Sequence, residues 1–357
     1  MEDTVNKKLD AIIGADTSRW SRDHRKSREI LLIHLGGLGD MCLSESTFLS
    51  FSRHFNKNIV AVGYKMFLNL FNEYFAGVYS VESRNWLYLF SKIPSDTTWE
   101  RIVFIGKDRT GRLRKRWQRL SKEPLIFIDM YPESAFGVEQ RAESDQPSNL
   151  SNHKPCGIGK SRGQGVKDSS GFKTLEPLNP RTPGQELQQR LSRADLEPFH
   201  VEDYQLMQLG QYGIQVIKKE IQPRLSKRVI IYPEMGFKKA KWHHENFIKL
   251  YWLLKSKNVD VYILEPLSIK LELKEKISFQ ELPDIRDFFK GGGIFVSNDS
   301  GMAHLAGICG LFTITLFTDY DPEIWHPRGH YKTLQQGLDR IDIETVLAEI
   351  EGVLSSQ

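Results

Sequence analysis

Cysteine is scarce in this chain: Cys42, Cys156 and Cys309 stand far apart and form no CxxC pair. That spacing speaks against a disulfide framework or a cysteine zinc site and suits a reducing compartment. No uninterrupted apolar run approaches the roughly 18–20 residues that cross a bilayer. Residues 1–28 are polar and lack the apolar core of a secretory signal. A cytoplasmic protein is expected. An excess of one charge is missing too, since 49 Lys and Arg face 45 Asp and Glu for a net +4. Such a balance does not imply nucleic acid, and any basic site must come from local clustering. What is present is ordinary globular composition, 40% hydrophobic and 26% charged, over 357 residues. That length suits two domains of roughly 100–200 residues each.

After the leader, short apolar runs alternate with amphipathic stretches. Strands are predicted at Glu29–Leu35, Asn58–Gly63, Val78–Ser83, Arg101–Gly106 and Leu125–Met130, with helices at Asp40–His54 and Lys65–Phe75. A second such unit begins near Lys227. It has strands at Arg228–Pro233, Val259–Leu264, Gly293–Ser297 and Phe312–Phe317, and helices at His244–Lys257, Phe279–Phe289 and Asp339–Leu354. Strands alternating with helices make an α/β protein of two doubly wound domains. The division reads as a leader over 1–28, a first domain over 29–222, a second over 223–335 and a C-terminal helical segment over 336–357.

One segment breaks the pattern. Residues 139–186 hold only six Val, Ile, Leu or Phe and are rich in Gly, Pro, Ser and Lys. Too little apolar surface is available there to offset ordering entropy, so a flexible insertion is expected. Its CGIGKS fragment lacks the first glycine and the preceding strand of a phosphate-binding P-loop.

Three regions carry chemistry. HLGGLGD, His34 to Asp40, ends the first strand, where open α/β sheets place ligands. Gly36, Gly37 and Gly39 allow close backbone approach, but their spacing is not the dinucleotide GxGxxG. Asp40 there is either a helix cap or a catalytic carboxylate. YPEMGFKKAKWHHENF, Tyr232 to Phe247, brings Lys238, Lys239, Lys241 and Trp242 to a helix start that suits a phosphate. VSNDSGMAHLAGICG, Val296 to Gly310, runs from a buried strand straight into a small-residue helix. Its Ser300 and Gly301 amides would face an anion, with His304 one turn in and Asp299 as the expected cap.

These regions, in this order, resemble glycosyltransferase family 9, the ADP-heptose:lipopolysaccharide heptosyltransferases. That family carries L-G-x-x-G-D, then P-G-x-x-x-x-x-K-x-W, D-[ST]-G-x-x-H-[LA]-A and F-x-x-x-x-P-x-x-W-x-P. This chain has HLGGLGD, PEMGFKKAKW, DSGMAHLA and LFTDYDPEIWHP (Leu316–Pro327), and the likeness covers about 30–131 and 201–332. The resemblance implies a GT-B architecture of two facing Rossmann-like domains, acceptor on the first and donor on the second. It implies inverting transfer without a metal or cofactor, from a nucleotide-diphosphate sugar such as ADP-heptose to a bacterial cell-envelope glycolipid or glycan. Asp40 would be the base. Lys239, Lys241, Asp299, Ser300, Gly301, His304 and Glu265 would meet the donor, and Gly36, Gly37 and Gly39 would form the acceptor-side turn. Two positions depart from the pattern. Ala240 stands where the family lysine would be, and Glu234 replaces the glycine after Pro233. They leave open a different donor on a soluble acceptor, or a GT-B nucleotide-binding protein with altered catalysis.

The segment Lys107–Lys122 has eight basic residues and one acidic. Arg109, Arg112, Arg116 and Arg119 share a helical face with Trp117 interleaved. The bland reading is a solvated helix. The functional one is contact with an anionic acceptor or with the inner face of the cytoplasmic membrane. Nucleic acid is not an expected partner.

Overall fold

The computed structural model describes residues 29–91, 97–132, 200–233, 242–266, 270–318, 320–335 and 341–356. The leader, the insertion over 139–186 with its CGIGKS fragment, and Glu234, Lys238, Lys239, Ala240 and Lys241 lie outside them.

The first half runs β1 (Ile30–His34), α1 (Leu38–Leu43), α2 (Glu45–His54), β2 (Ile59–Gly63), α3 (Lys65–Leu68), β3 (Gly77–Ser80), α4 (Leu87–Phe90), β4 (Arg101–Gly106), α5 (Arg112–Trp117), β5 (Ile126–Asp129) and α6 (Val201–Leu209). The second runs β6 (Arg228–Tyr232), α7 (His244–Ser256), β7 (Asp260–Leu264), β8 (Lys276–Ile277), α8 (Leu282–Phe289), β9 (Ile294–Asn298), α9 (Gly301–Ile308), β10 (Phe312–Phe317), α10 (Pro322–Trp325), β11 (Tyr331–Gln335) and α11 (Ile343–Ser355). Two sheets result, ordered β3-β2-β1-β4-β5 and β11-β10-β9-β6-β7-β8, with every named strand pair parallel.

Parallel strands covered on both faces read as continuous apolar runs, and ILLIH and IVAVG are buried at every position. Successive side chains still serve different cores. Leu31, Ile33, Val60, Val62, Ile102 and Phe104 pack with Trp117 on one side of the first sheet. Ile30, Leu32, Ala61, Val103 and Ile105 join a larger cluster that continues into the second half through Ile230, Phe295, Met302 and Leu305. Val229, Ile231, Ile263, Val296 and Ile314 form the remaining core with α7 and α11. Both sheets thus belong to one compact unit held by a shared apolar layer.

Several expected elements are shorter or broken. The helix over Asp40–His54 divides at Ser44, whose N–H and Oγ–H both donate to the Asp40 carbonyl (3.0 and 2.8 Å). That side-chain bond to the carbonyl four residues back offers the chain an alternative to continuing one straight helix. Lys65–Phe75 becomes one α-turn followed by a 3-10 turn over Asn69–Tyr74. The C-terminal helix starts at Ile343 because Asp342 caps it, its Oδ1 accepting from Thr345 N–H at 2.7 Å.

Candidate active site at two touching strand–helix turns

The carboxyl end of β1 leads through Leu35, Gly36 and Gly37 into α1. Gly37 is the N-cap, and its N–H donates to Asp40 Oδ2 at 2.8 Å. Asp40 is therefore a first-turn carboxylate satisfying an orphan amide, as the capping reading requires. Burial raises its pKa above the ordinary aspartate value, and the Gly37 bond pulls it partly back. A carboxylate so placed can cap and still take a proton, because it offers about four lone-pair sites.

Gly36 is wedged against this group. A Cβ there would stand 2.6 Å from Asp40 Cβ and 2.7 Å from His34 Cε1. The His34 ring is fully buried, and burial holds its pKa down at about 3. Its Nδ1 accepts from Gly36 N–H at 3.1 Å, and its Nε2 lies 3.1 Å from Ser44 Oγ.

The carboxyl end of β9 leads directly into α9. Ser300 is the cap here, its Oγ accepting from Ala303 N–H at 3.4 Å. That corrects the expectation that Asp299 caps the helix. Asp299 instead places Oδ1 4.0 Å from Nε2 of His304, which is nearly buried. The small residues of α9 let it lie against α1. A Cβ on Gly39 would be 2.9 Å from His304 Cδ2, and one on Gly301 would be 3.0 Å from Leu38 Cβ and 3.2 Å from Gly39 N. Gly301 thus lacks a side chain because the first half of the molecule fills that space. Packing alone therefore accounts for a glycine at position 301.

Behind β9, Asn298 clasps the residue that ends the lysine loop. Its Oδ1 accepts from Trp242 N–H and its amide donates to Trp242 O, both at 3.2 Å. The Trp242 indole is buried and donates to Ile341 O at 2.7 Å.

Asp40, Gly36, Gly37, Gly39, Asp299, Ser300, Gly301 and His304 are accordingly brought together, and Lys239 and Lys241 lie outside the described residues. Glu265 directly follows β7, two strands from β9, and is engaged locally. It accepts from Lys276 Nζ (2.5 Å), Ser278 Oγ (2.6 Å) and Leu271 N–H (3.0 Å), bonds that hold its pKa down at about 2.

The basic segment also differs from expectation. Only Arg112–Trp117 is helical, and Trp117 is fully buried with its indole donating to Leu89 O. Arg116 is spent internally, donating to Leu89 O at 2.9 Å and Tyr88 O at 2.6 Å. Arg112, Arg114, Lys115 and Arg119 remain exposed. Apolar Leu113, Trp117 and Leu120 mark the buried side of this segment.

Arg328 and its acidic partners form a second buried cluster that the sequence does not announce. This fully buried guanidinium contacts Glu45 Oε2 (2.6 Å) and Glu202 Oε1 (2.7 Å). It also donates to Cys42 O, Ser46 Oγ and Lys219 O, so it joins α10's end to α1, α2 and α6. An arginine in a Pro-rich turn carries no burial signal, because its acidic partners lie 283 and 126 residues away. Tyr131, also unforeseen, packs on Trp325 with ring centroids 5.2 Å apart. Burial raises its pKa, and the charge of Asp40 adds to the rise.

Residues 199–340 match the model of glycosyltransferase family 9 (heptosyltransferase). No curated protein sequence matches the chain. Among solved structures, E. coli heptosyltransferase WaaC with ADP superposes with a TM-score of 0.54 at 12% identity, over 91% of this chain and 99% of that one. E. coli ADP-heptose lps heptosyltransferase II gives 0.52 at 14% identity, covering 92% and 99%. A glycosyl transferase family 9 protein from Veillonella parvula DSM 2008 gives 0.54 at 13% identity, covering 92% and 98%. Residues 199–340 thus carry the match to glycosyltransferase family 9, and the chain has the two-sheet GT-B fold of these structures.

Proposed function

We propose that the chain transfers heptose or a related sugar, with inversion and without a metal ion, from a nucleotide-diphosphate donor to a hydroxyl of a cell-envelope glycolipid or glycan. The observation that carries this reading is the partly desolvated Asp40 carboxylate in the first turn of α1, where that turn touches the start of α9. In the proposed step the acceptor oxygen bonds to the anomeric carbon as the bond to the diphosphate breaks, and the hydroxyl proton passes to Asp40. Two of the similar E. coli structures hold ADP or ADP-2-deoxy-2-fluoro heptose, which favours an ADP-linked donor.

The leaving diphosphate would be met by the amides at the start of α9, around Ser300 and Gly301, with His304, Asp299 and the Lys239/Lys241 loop beside it. Among the described residues, the His, Cys, Asp and Glu group close enough to share an ion is His243, His244 and Glu245 at the start of α7. In this reading charge at the donor is offset by amides and lysines. An acceptor anchored in an anionic membrane would find Arg112, Arg114, Lys115 and Arg119 exposed.

The test is Asp40→Asn, assayed by ADP release from ADP-heptose with a purified lipopolysaccharide-core acceptor. Loss of a general base should lower turnover about 10²–10⁴-fold while ADP still binds. Retention of more than about a third of wild-type turnover would reduce Asp40 to a cap.

A further inference from the structure

Next to Asp40 the chain spends a histidine that touches no proposed substrate group. His34 ends β1, is fully buried, and stands edge-on to Phe48 with centroids 5.5 Å apart. Gly36 N–H donates to its Nδ1 at 3.1 Å. A backbone amide can only donate, so Nδ1 carries no proton and the ring is the neutral Nε2–H tautomer. Nε2–H then donates to Ser44 Oγ at 3.1 Å, and Ser44 Oγ–H donates to the Asp40 carbonyl at 2.8 Å. One ring thus holds both ends of the turn, Gly36 where it leaves β1 and Ser44 where α1 stops. Between these anchors lies Gly37, whose N–H meets Asp40 Oδ2 at 2.8 Å. The Gly36 backbone is pressed between the His34 ring and the Asp40 side chain, leaving no room for a Cβ on either side.

We infer that His34 is the positioning residue for the catalytic carboxylate: its neutral imidazole fixes the Gly36–Gly37 turn and thereby holds Gly37 N–H on Asp40. The inference rests on the reading of Asp40 as the base. Other ionisable groups share this neighbourhood. Tyr131 and Cys42 both feel the charge of Asp40, Glu45 acts on Cys42, and His304 packs against Gly39. His34 bonds to the Gly36 N–H directly.

The decisive measurement is the titration midpoint of the Asp40 carboxyl by NMR of protein labelled with 13C at the Asp carboxyls, assigned by difference against Asp40→Asn. In His34→Leu the ring volume is largely kept but both hydrogen bonds are lost. The Gly37 amide then leaves the carboxylate, and the midpoint rises by about one pH unit. Ser44→Ala cuts only the far anchor and moves the midpoint the same way by less. His34→Asn, whose amide oxygen can accept from Gly36 N–H near the Nδ1 position, keeps the midpoint close to wild type. Turnover of ADP-heptose in His34→Leu should fall about tenfold with ADP affinity by calorimetry unchanged, since small misplacements of a reacting group cost rate steeply.

A folded His34→Leu protein with the wild-type midpoint overturns the inference. Should His34→Leu not fold, a wild-type midpoint in Ser44→Ala overturns it equally. The two readings fail separately. If Asp40→Asn keeps its turnover, the base assignment falls, whatever the midpoints do. If Asp40→Asn is inactive and the midpoint ignores His34, only the present inference falls.

Discussion

Replacing Arg328 by Met should destabilise the molecule in a way that depends on pH. Its side chain is 2% exposed, against 4% for Glu202 and 10% for Glu45, so all three groups are withdrawn from water. Methionine keeps the length but removes both ion pairs and the hydrogen bonds to Cys42 O, Ser46 Oγ and Lys219 O. Removing one partner from a buried pair costs about 3–5 kcal/mol, because the other charges are left uncompensated. At about 2–4 °C per kcal/mol for a domain of this class, the melting temperature should drop by roughly 6–20 °C at pH 8. The sign with pH follows from Glu202. Burial raises its pKa, and Arg328 is the first force opposing that rise. Without Arg328 the folded-state pKa goes higher still, so the folded protein binds a proton more readily than the unfolded chain. The variant should therefore regain part of its deficit as pH falls from 8 to 5.5. Urea denaturation of wild type and Arg328→Met at both values measures this. A deficit below about 1 kcal/mol, or one equal at the two pH values, refutes the argument that this cluster is a buried, arginine-neutralised junction.

Four further outcomes are expected. Arg116→Ser should cost about 1–3 kcal/mol in denaturation, because Leu89 O and Tyr88 O lose a charged donor, whereas Arg112→Ser and Arg119→Ser should stay within about 0.5 kcal/mol and instead weaken sedimentation with anionic liposomes at low salt. Gly39→Ala should lower both thermal stability and turnover, read by calorimetry and ADP release, since its Cβ would enter the His304 ring edge at 2.9 Å. Between pH 6.5 and about 3 wild-type stability should fall with acid, because the unfolded chain takes a proton that buried His34 refuses; His34→Asn should flatten that slope by up to about 1.4 kcal/mol per pH unit in urea titrations. Turnover should survive EDTA, and a loss restored by added Mg²⁺ would overturn the metal-free reading.

Most of the sheet framework was legible because buried parallel strands announce themselves. Arg101–Gly106 and Phe312–Phe317 coincide with β4 and β10, since an apolar run bounded by a glycine or a turn leaves little choice of limits. β11 was not legible: YKTLQ is half exposed at the sheet edge and carries no apolar run. Nor was the break at Ser44, since periodicity continues through it and only a side-chain bond back to Asp40 O interrupts the helix. At the site, the glycines and Asp40 could be read because strand-to-helix turns need them locally. His34 looked like one more residue of an apolar strand, and its role depends on Ser44 ten positions later.

The glycines of the two turns answer to different constraints, which bears on how substitutions there should be understood. Gly36 is confined by its own turn, between His34 and Asp40, so a side chain there would disturb the carboxylate directly. Gly39 and Gly301 are confined by each other's helices, and their substitution would push α1 from α9. Gly37 has only Asp40 Oδ2 near its Cβ direction, at 3.8 Å, and its φ of −74° suits any residue. Ordinary van der Waals room of that kind should accept alanine with little loss of stability. Gly37→Ala is therefore the substitution that separates backbone approach by a substrate from packing of the protein. If turnover falls while the melting temperature holds, the space beside Gly37 belongs to a substrate. If both are unchanged, the glycine is neutral and the acceptor-side turn is defined by Gly36 and Gly39 alone.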